Sequence, residues 1–276
     1  MNIAIIGLGL MGGSLALSLK GKEYVTTIVG YDHNEKHTSQ AIELELVDDI
    51  VTLEQIKKCD VIFLAIPVNG VISILQDMKN ISKNTTIIDL GSTKEKIVQS
   101  VPQTIRKNFV AAHPMTGTEN FGPTAAIHNL YKKKVVVLCD LEDSGKHQSD
   151  TAKMIFKSLE MKKTFMRAKE HDRHAAFISH MPHAISYSIA NTVMRQENKH
   201  NILALAAGGY RSMSRLAKSS PYMWEDIFRQ NKDNLLEAIT IFEEELSQLK
   251  SAIESDDWER VHQEMVDGNK LHDILD

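Results

Sequence analysis

The chain has 276 residues, 42% of them hydrophobic and 25% charged, with a formal net charge of −4 and a pI near 6.3. That length favours two domains over one, and the composition is that of an ordinary globular protein. The faintly acidic balance leaves no electrostatic footprint for nucleic acid or an anionic membrane, and no apolar run reaches the roughly 18 residues of a membrane span.

The first element is the apolar run "MNIAII", followed at once by "GLGLMGGSLALSLKG". A secretion signal would begin with basic residues, and none precedes Lys20. The glycines instead read Gly7-x-Gly9-x-x-Gly12 between a strand-like run, Ile3 to Ile6, and a helix-like one, Ser14 to Leu19. This is the strand–turn–helix context of a dinucleotide site. Gly7 permits the tight turn, Gly9 lets the backbone approach a pyrophosphate, and Gly12 lets the helix pack close to its strand. Leu10 and Met11 belong to the same turn, where helix N–H groups face the phosphates. The glycines alone would equally suit a ligand-free turn. The second strand adds to the reading: "TTIVGYD" ends at Asp32, twenty residues after Gly12. An acid there accepts hydrogen bonds from the adenosine ribose and repels a 2′-phosphate. No arginine follows it in His33, Asn34 and Glu35, so NAD is expected over NADP.

Further strands are expected in "DVIFLAIP" (60–67), "TTIIDLG" (85–91), "NFVAAHP" (108–114) and "KKVVVLCD" (133–140). Short, β-branched runs of this kind suit strands buried on both faces. Helices are expected in "VNGVISILQDMKN", "STKEKIVQSVPQTI" and "SDTAKMIFKSLEM". The alternation predicts a parallel, doubly wound α/β sheet. Ligands bind beyond the carboxyl ends of such strands, so "AIPV" with Pro67, "DLGSTK" with Ser92, and "AAHPMTGTE" with His113, Thr118 and Glu119 should face the cofactor. Cys59 and Cys139 lie beside or within apolar runs and read as buried thiols of a cytoplasmic protein.

After residue 165 the strand runs stop. The expected division is a dinucleotide-binding domain over 1–165 and an all-helical domain over 166–276. "AKEHDRHAAFISHMPHAISYSIANTVM" reads as one long helix kinked at Pro182. Leu235, Ile239, Phe242, Leu246, Leu249 and Ile253 recur at alternating spacings of four and three, an a/d seam that suits helix-on-helix packing and a homodimer. His171, His174, His180 and His183 do not make a metal site on a straight helix. His171 would point opposite His180, and His174 opposite His183. No metal is expected.

The ordered set "GLGLMGGSLALSL", "DLGSTK", "HPMTGTE", "HDRHAAFISHMPHA" and "GGYRSMSRLAKSSPYMWEDI" resembles the prephenate/arogenate dehydrogenase family of tyrosine biosynthesis, over the whole chain. The resemblance implies a Rossmann domain followed by a helical dimerisation domain, without a fused mutase or regulatory domain. It implies NAD-dependent oxidation of prephenate at C4, with loss of the ring carboxylate as CO2 to give 4-hydroxyphenylpyruvate. Arogenate, or both substrates, is the alternative, and tyrosine is a possible competitor at the same pocket. Residue by residue, His113 matches the catalytic histidine, which as a neutral imidazole can take the hydroxyl proton. Ser92 matches the serine that contacts that histidine and the nicotinamide. Arg215 matches the arginine that grips a substrate carboxylate, and His183 the histidine near the pyruvyl side chain. Thr118 and Glu119 match residues at the site entrance, with Trp224 nearby, and His180 reads as structural. One departure stands out: members commonly read "GFRD" where this chain has Gly209-Tyr210-Arg211-Ser212, which leaves Arg211 without an assigned role. "GLGLMG" also resembles the β-hydroxyacid dehydrogenases, but their lysine followed four residues later by asparagine is missing, since Lys169 is followed by Arg173. A non-enzymatic NAD-binding regulator is the remaining rival.

Overall fold

In a computed structural model of the chain, describing residues 1–275, eight strands form one sheet. They are β1 (Asn2–Ile6), β2 (Thr27–Tyr31), β3 (Asp49–Ile50), β4 (Val61–Leu64), β5 (Thr86–Asp89), β6 (Phe109–Pro114), β7 (Val135–Cys139) and β8 (Lys162–Met166). Their order is β3-β2-β1-β4-β5-β6-β7-β8. Every strand expected from the sequence is present. β3, two residues long, and β8, with three of its five residues exposed, lack the apolar signal that marked the others.

The sheet is parallel from β3 through β6, but β7 runs antiparallel to β6. The all-parallel expectation is therefore corrected at this edge. A parallel neighbour needs a crossover, usually a helix. The connection after β6 holds only a 3-10 turn at Pro123–Ala125, so the chain comes back reversed. β8 then pairs parallel with β7.

Alternate residues of each strand feed opposite faces, as the two-residue period of a strand requires. Ile3, Ile5, Phe63 and Ile88 pack on one side with α1 (Leu10–Leu19) and α6 (Lys146–Ser158). Ala4, Ile6, Ile62 and Ile87 pack on the other with α4 (Val68–Asp77) and α5 (Glu95–Ser100). The short helices α2 (Glu35–Glu43) and α3 (Leu53–Ile56) flank β3. α5 stops sooner than expected because Pro102 forces Val101 out of helical geometry, at ψ 121°. The strand order reverses between β1's neighbours β2 and β4, which creates the crevice where ligands of such sheets bind.

The long helix after residue 165 is α7 (Ala168–Ala175), a π-helical turn (Ala176–His180) and α8 (Met181–Met194). Pro182 has no N–H to return to the preceding turn, and its ring crowds the carbonyl four residues back. The wider π turn makes room for it. α9 (Lys199–Ala204), α10 (Gly208–Ser214), a 3-10 turn (Arg215–Lys218) and α11 (Pro221–Gln230) follow. All of these belong with the sheet to one compact unit, Met1–Asn231. The compact boundary therefore lies well beyond 165, where the sequence changes texture. Two buried acids explain the union. Asp172 of α7 accepts the N–H groups of Lys94 and Glu95 at the start of α5, and Asp226 of α11 accepts that of Asn69 in α4.

The second unit holds α12 (Lys232–Glu254), α13 (Trp258–Asn269) and α14 (His272–Leu275). The heptad residues lie on α12 as expected. Leu235 is buried, while Leu246 and Ile253 are 53% and 46% exposed in the single chain. Among the described residues, no helix is long and apolar enough to cross a membrane.

Candidate active site

The glycine turn is built as its spacing implies. Gly7 has φ +93°, and a Cβ on it would meet the Ala65 carbonyl oxygen at 2.4 Å. A Cβ on Gly12 would lie 1.8 Å from the Gly7 carbonyl oxygen, where helix α1 crosses β1. Gly9 is different: a Cβ there would meet nothing closer than Gly122 N at 3.9 Å, so its face is open to a ligand. Leu10 and Met11 open α1, which has neither a side-chain cap nor an acid in its first turn. Its N-terminal N–H groups are left to an anion.

Asp32 directly follows β2 beside this turn, with its side chain only 6% exposed. Its carboxylate accepts the N–H of Leu8 at 2.9 Å and of Asn34 at 2.9 Å, and His37 Nδ1 lies at 3.3 Å. These bonds pin the acid to the phosphate turn. An open groove of about 540 Å³ adjoins it, walled by Tyr31, Ile50, Val51 and Leu53. Thr52, Glu54 and Gln55 complete the lining, and a largely apolar slot next to a buried acid suits the adenine end of a dinucleotide. Pro67 is exposed at the N-terminus of α4.

His113 lies near the end of β6 and is 9% exposed. Burial first, then the neighbouring His171 and Lys94, hold its pKa well below the ordinary histidine value, so the ring is neutral at pH 7. Its Nδ1 is 2.8 Å from His171 Nε2. Among the described residues no hydrogen bond joins Ser92 to His113. Ser92 is half-buried on the loop between β5 and α5. Lys94 of the same loop turns back under the sheet edge. It pairs with the buried Asp89 and donates to the Ala112 carbonyl at 3.0 Å.

His183 donates from Nδ1 to the Ser179 carbonyl at 2.8 Å and stacks on Trp224 with ring centroids 3.4 Å apart. Burial, partly offset by that bond, lowers its pKa, and nearby Arg215 lowers it further. Trp224 is buried, and among the described residues its indole N–H has no hydrogen-bond partner. Arg215 reaches Glu119 at 3.2 Å, and Thr118 accepts the N–H of Asn120. His180 is fully buried edge-on to Trp224, and burial depresses its pKa to about 4. Asn231 Nδ2 bonds both His180 Nδ1 and the Asp172 carbonyl. The α7 side and His180 therefore share one interior, not opposite faces as a straight helix would give. The π turn between them rotates fewer degrees per residue than an α-helix. The loop after β6 joins the two halves of the site: it carries Thr118 and Glu119, then bonds α1 through Ile127 N to Ser14 Oγ and Tyr131 OH to the Met11 carbonyl.

His171, Asp172, Lys94 and Asp89 were given no role by the sequence. The available signal was the adjacent His-Asp pair at the head of "HDRHAAFISHMPHA".

An open glycine turn, a pinned acid beside it and a neutral buried histidine at the same sheet edge define a nucleotide-dependent oxidoreductase. The chain belongs to the prephenate dehydrogenase family: the family model for the prephenate dehydrogenase nucleotide-binding domain matches residues 15–164, and that for its dimerization domain matches 167–267. The chain is 31% identical to the prephenate dehydrogenase of Bacillus subtilis, across 94% of this chain and 72% of that one. It is 30% identical to the cyclohexadienyl dehydrogenase of Zymomonas mobilis, across 93% and 89%. The crystal structure of Aquifex aeolicus prephenate dehydrogenase with hydroxyphenyl propionate and NAD+ superposes with a TM-score of 0.92, at 30% identity, covering 100% of this chain and 98% of that one.

Proposed function

We propose that the chain oxidises prephenate to 4-hydroxyphenylpyruvate and CO2 with NAD, for tyrosine biosynthesis in the cytoplasm, as a homodimer whose functional halves divide near residue 165. The observation that carries this reading is His113: a buried, neutral imidazole at the end of β6, with Nδ1 already bonded and Nε2 left for a substrate. NAD held at the glycine turn would supply the acceptor for the C4 hydride. His113 takes the proton of the 4-hydroxyl, and Ser92 on the adjoining loop contacts that histidine and the nicotinamide. Arg215 holds a carboxylate, and the stacked His183–Trp224 pair lines the side-chain pocket with Thr118 and Glu119 at its mouth. Gly7, Gly9, Leu10, Met11, Gly12, Asp32 and Pro67 hold the cofactor. Tyrosine, close in shape to the product, competes in the same pocket.

A second reading is favoured by His183. Its Nδ1–H is committed to Ser179, so in the neutral ring Nε2 is an acceptor. An acceptor there suits the ammonium of arogenate as well as it tolerates a keto group. Side-by-side turnover of prephenate and arogenate, each with NAD and NADP, tests both readings through the rise of NADH or NADPH absorbance. The fastest rate is expected with prephenate and NAD. Faster arogenate turnover selects the second reading, and no turnover with any pair removes both.

The cofactor half has its own test. Asp32→Ala should weaken NAD roughly ten- to a hundred-fold, the worth of a charged hydrogen bond of about 1.5–3 kcal/mol, and should narrow the gap between NAD and NADP. Titration calorimetry with each cofactor measures it. Unchanged affinities would take Asp32 out of the site.

A further inference from the structure

Behind His113 lie two buried polar groups, His171 and Asp172, that the proposed reaction does not itself call for. His113, His171 and Asp172 are 9%, 2% and 2% exposed. Asp172 Oδ1 accepts the Lys94 N–H at 2.7 Å and lies 2.8 Å from His171 Nδ1. Its Oδ2 accepts the Glu95 N–H at 2.9 Å. His171 Nε2 lies 2.8 Å from His113 Nδ1.

Donor and acceptor roles along this line are forced in sequence. A carboxylate only accepts, so the hydrogen between Asp172 and His171 sits on His171 Nδ1. A neutral His171 then carries its lone pair on Nε2. His113 must donate from Nδ1 to that lone pair, and a neutral His113 so committed has no proton on Nε2. We propose that His171 and Asp172 are positioning residues that fix His113 in the tautomer whose Nε2 is free to accept the substrate proton. The inference rests on His113 being the base.

The charged and titratable groups about the pair are Lys94 from the β5–α5 loop, Asp89 from β5, Asp172 from α7 and His180 from the π turn. The Lys94 ammonium pairs with Asp89 and donates to the carbonyl of Ala112, the residue before His113. A second cation on His171 would sit close to that ammonium. It would also turn His171 Nε2 into a donor and force the proton onto His113 Nε2, which removes the base. When His113 takes the substrate proton, its Nδ1–H keeps donating to His171, and the Asp172 carboxylate faces the new charge through the intervening ring. No proton need travel along the line. An orienting acid behind a catalytic histidine acts in this way in other enzymes. The same carboxylate caps α5, so the loop that carries Ser92 and the tautomer of His113 are fixed by one group.

Nitrogen-15 spectra of the histidine-labelled wild-type protein read the tautomer directly. His113 protonated at Nδ1 and bare at Nε2 is expected, and the opposite tautomer overturns the proposal. Kinetics give an independent reading. In His171→Gln the side-chain oxygen can still accept from His113 Nδ1, whereas His171→Leu offers no acceptor. His171→Leu should lose about 10²–10³-fold in kcat, an orienting effect bounded by the loss of general-base help itself. NAD affinity should hold and the prephenate KM should move only a few-fold, while His171→Gln should recover to within about tenfold of wild type. Equal kcat in the two variants overturns the proposal. His113→Asn serves as the reference. If it is inactive while His171→Leu turns over normally, only the positioning role fails. If His113→Asn is itself active, the base lies elsewhere and both readings fall.

Discussion

His113→Asn is expected to lower kcat by about 10²–10⁴-fold, the usual worth of a general base, while NAD and prephenate still bind. The asparagine amide can donate to His171 Nε2 as the imidazole Nδ1–H does, so the buried line keeps its partner and the strand end its shape. What it cannot do is take a proton. The pH profile adds a second readout. The base works only when neutral, so activity is lost as pH falls through the His113 pKa. The sequence alone puts this limb near an ordinary histidine value. The structure moves it lower, because burial and the adjacent His171 and Lys94 disfavour the imidazolium, so the acid limb of kcat should lie below pH 6.5. His183 is also depressed and would enter kcat/KM, so kcat is the cleaner reading. Acid unfolding must be followed in parallel. His180 titrates near 4 in the folded chain and near 6.5 when unfolded. The unfolded state then binds more protons between those values, and stability present above pH 6.5 is lost as pH falls toward 4. Tm measured across that range separates this loss from the kinetic limb. A His113→Asn enzyme within a few-fold of wild type, its acid limb intact, would move the base to another residue, with His183 tested next.

What could be read from the sequence was local. The glycine turn, the strands and Asp32 each announce themselves within a few residues, because backbone geometry and two-sided burial act over a turn or a strand. The groups that tie the helices to the sheet unit are long-range. Asp172 reaches Lys94 across 78 positions and Asp226 reaches Asn69 across 157. No periodicity links such positions, and for that reason the compact unit runs on to Asn231 although the sequence changes texture near 165. The histidines show a different limit. Their faces follow from 3.6 residues per turn only if the helix is α throughout, and the π turn at Ala176–His180 breaks that premise. β7 shows a third: its residues read as a buried strand in either direction, and its sense is set by the helix-free loop before it. Arg215 was carried by the resemblance alone, since "RSMSRLAKSS" reads as polar surface.

Arg215→Ala should raise the prephenate KM strongly and leave NAD binding intact. In the free chain Arg215 is 54% exposed and paired with Glu119 at 3.2 Å. An exposed pair of this kind is worth little, because water screens it, so an incoming carboxylate can take over the guanidinium at small cost. Once the substrate covers it, the same cation faces a desolvated anion. Removing one half of such a pair costs on the order of 2–5 kcal/mol, a loss of about thirty- to several-thousand-fold in apparent affinity. Lysine should restore only part of this, since an ammonium cannot present the planar two-pronged fork that matches a carboxylate. Glu119 sharpens the test. Its own backbone N–H and the Arg215 guanidinium keep its carboxyl below the ordinary range, so it stays charged through neutral pH. In Arg215→Ala that charge is left facing the substrate carboxylate. The double variant Arg215→Ala with Glu119→Gln should therefore bind prephenate better than Arg215→Ala alone. Steady-state kinetics at saturating NAD measure all three. A prephenate KM that barely moves in Arg215→Ala would make the arginine a surface residue held by Glu119 and nothing more.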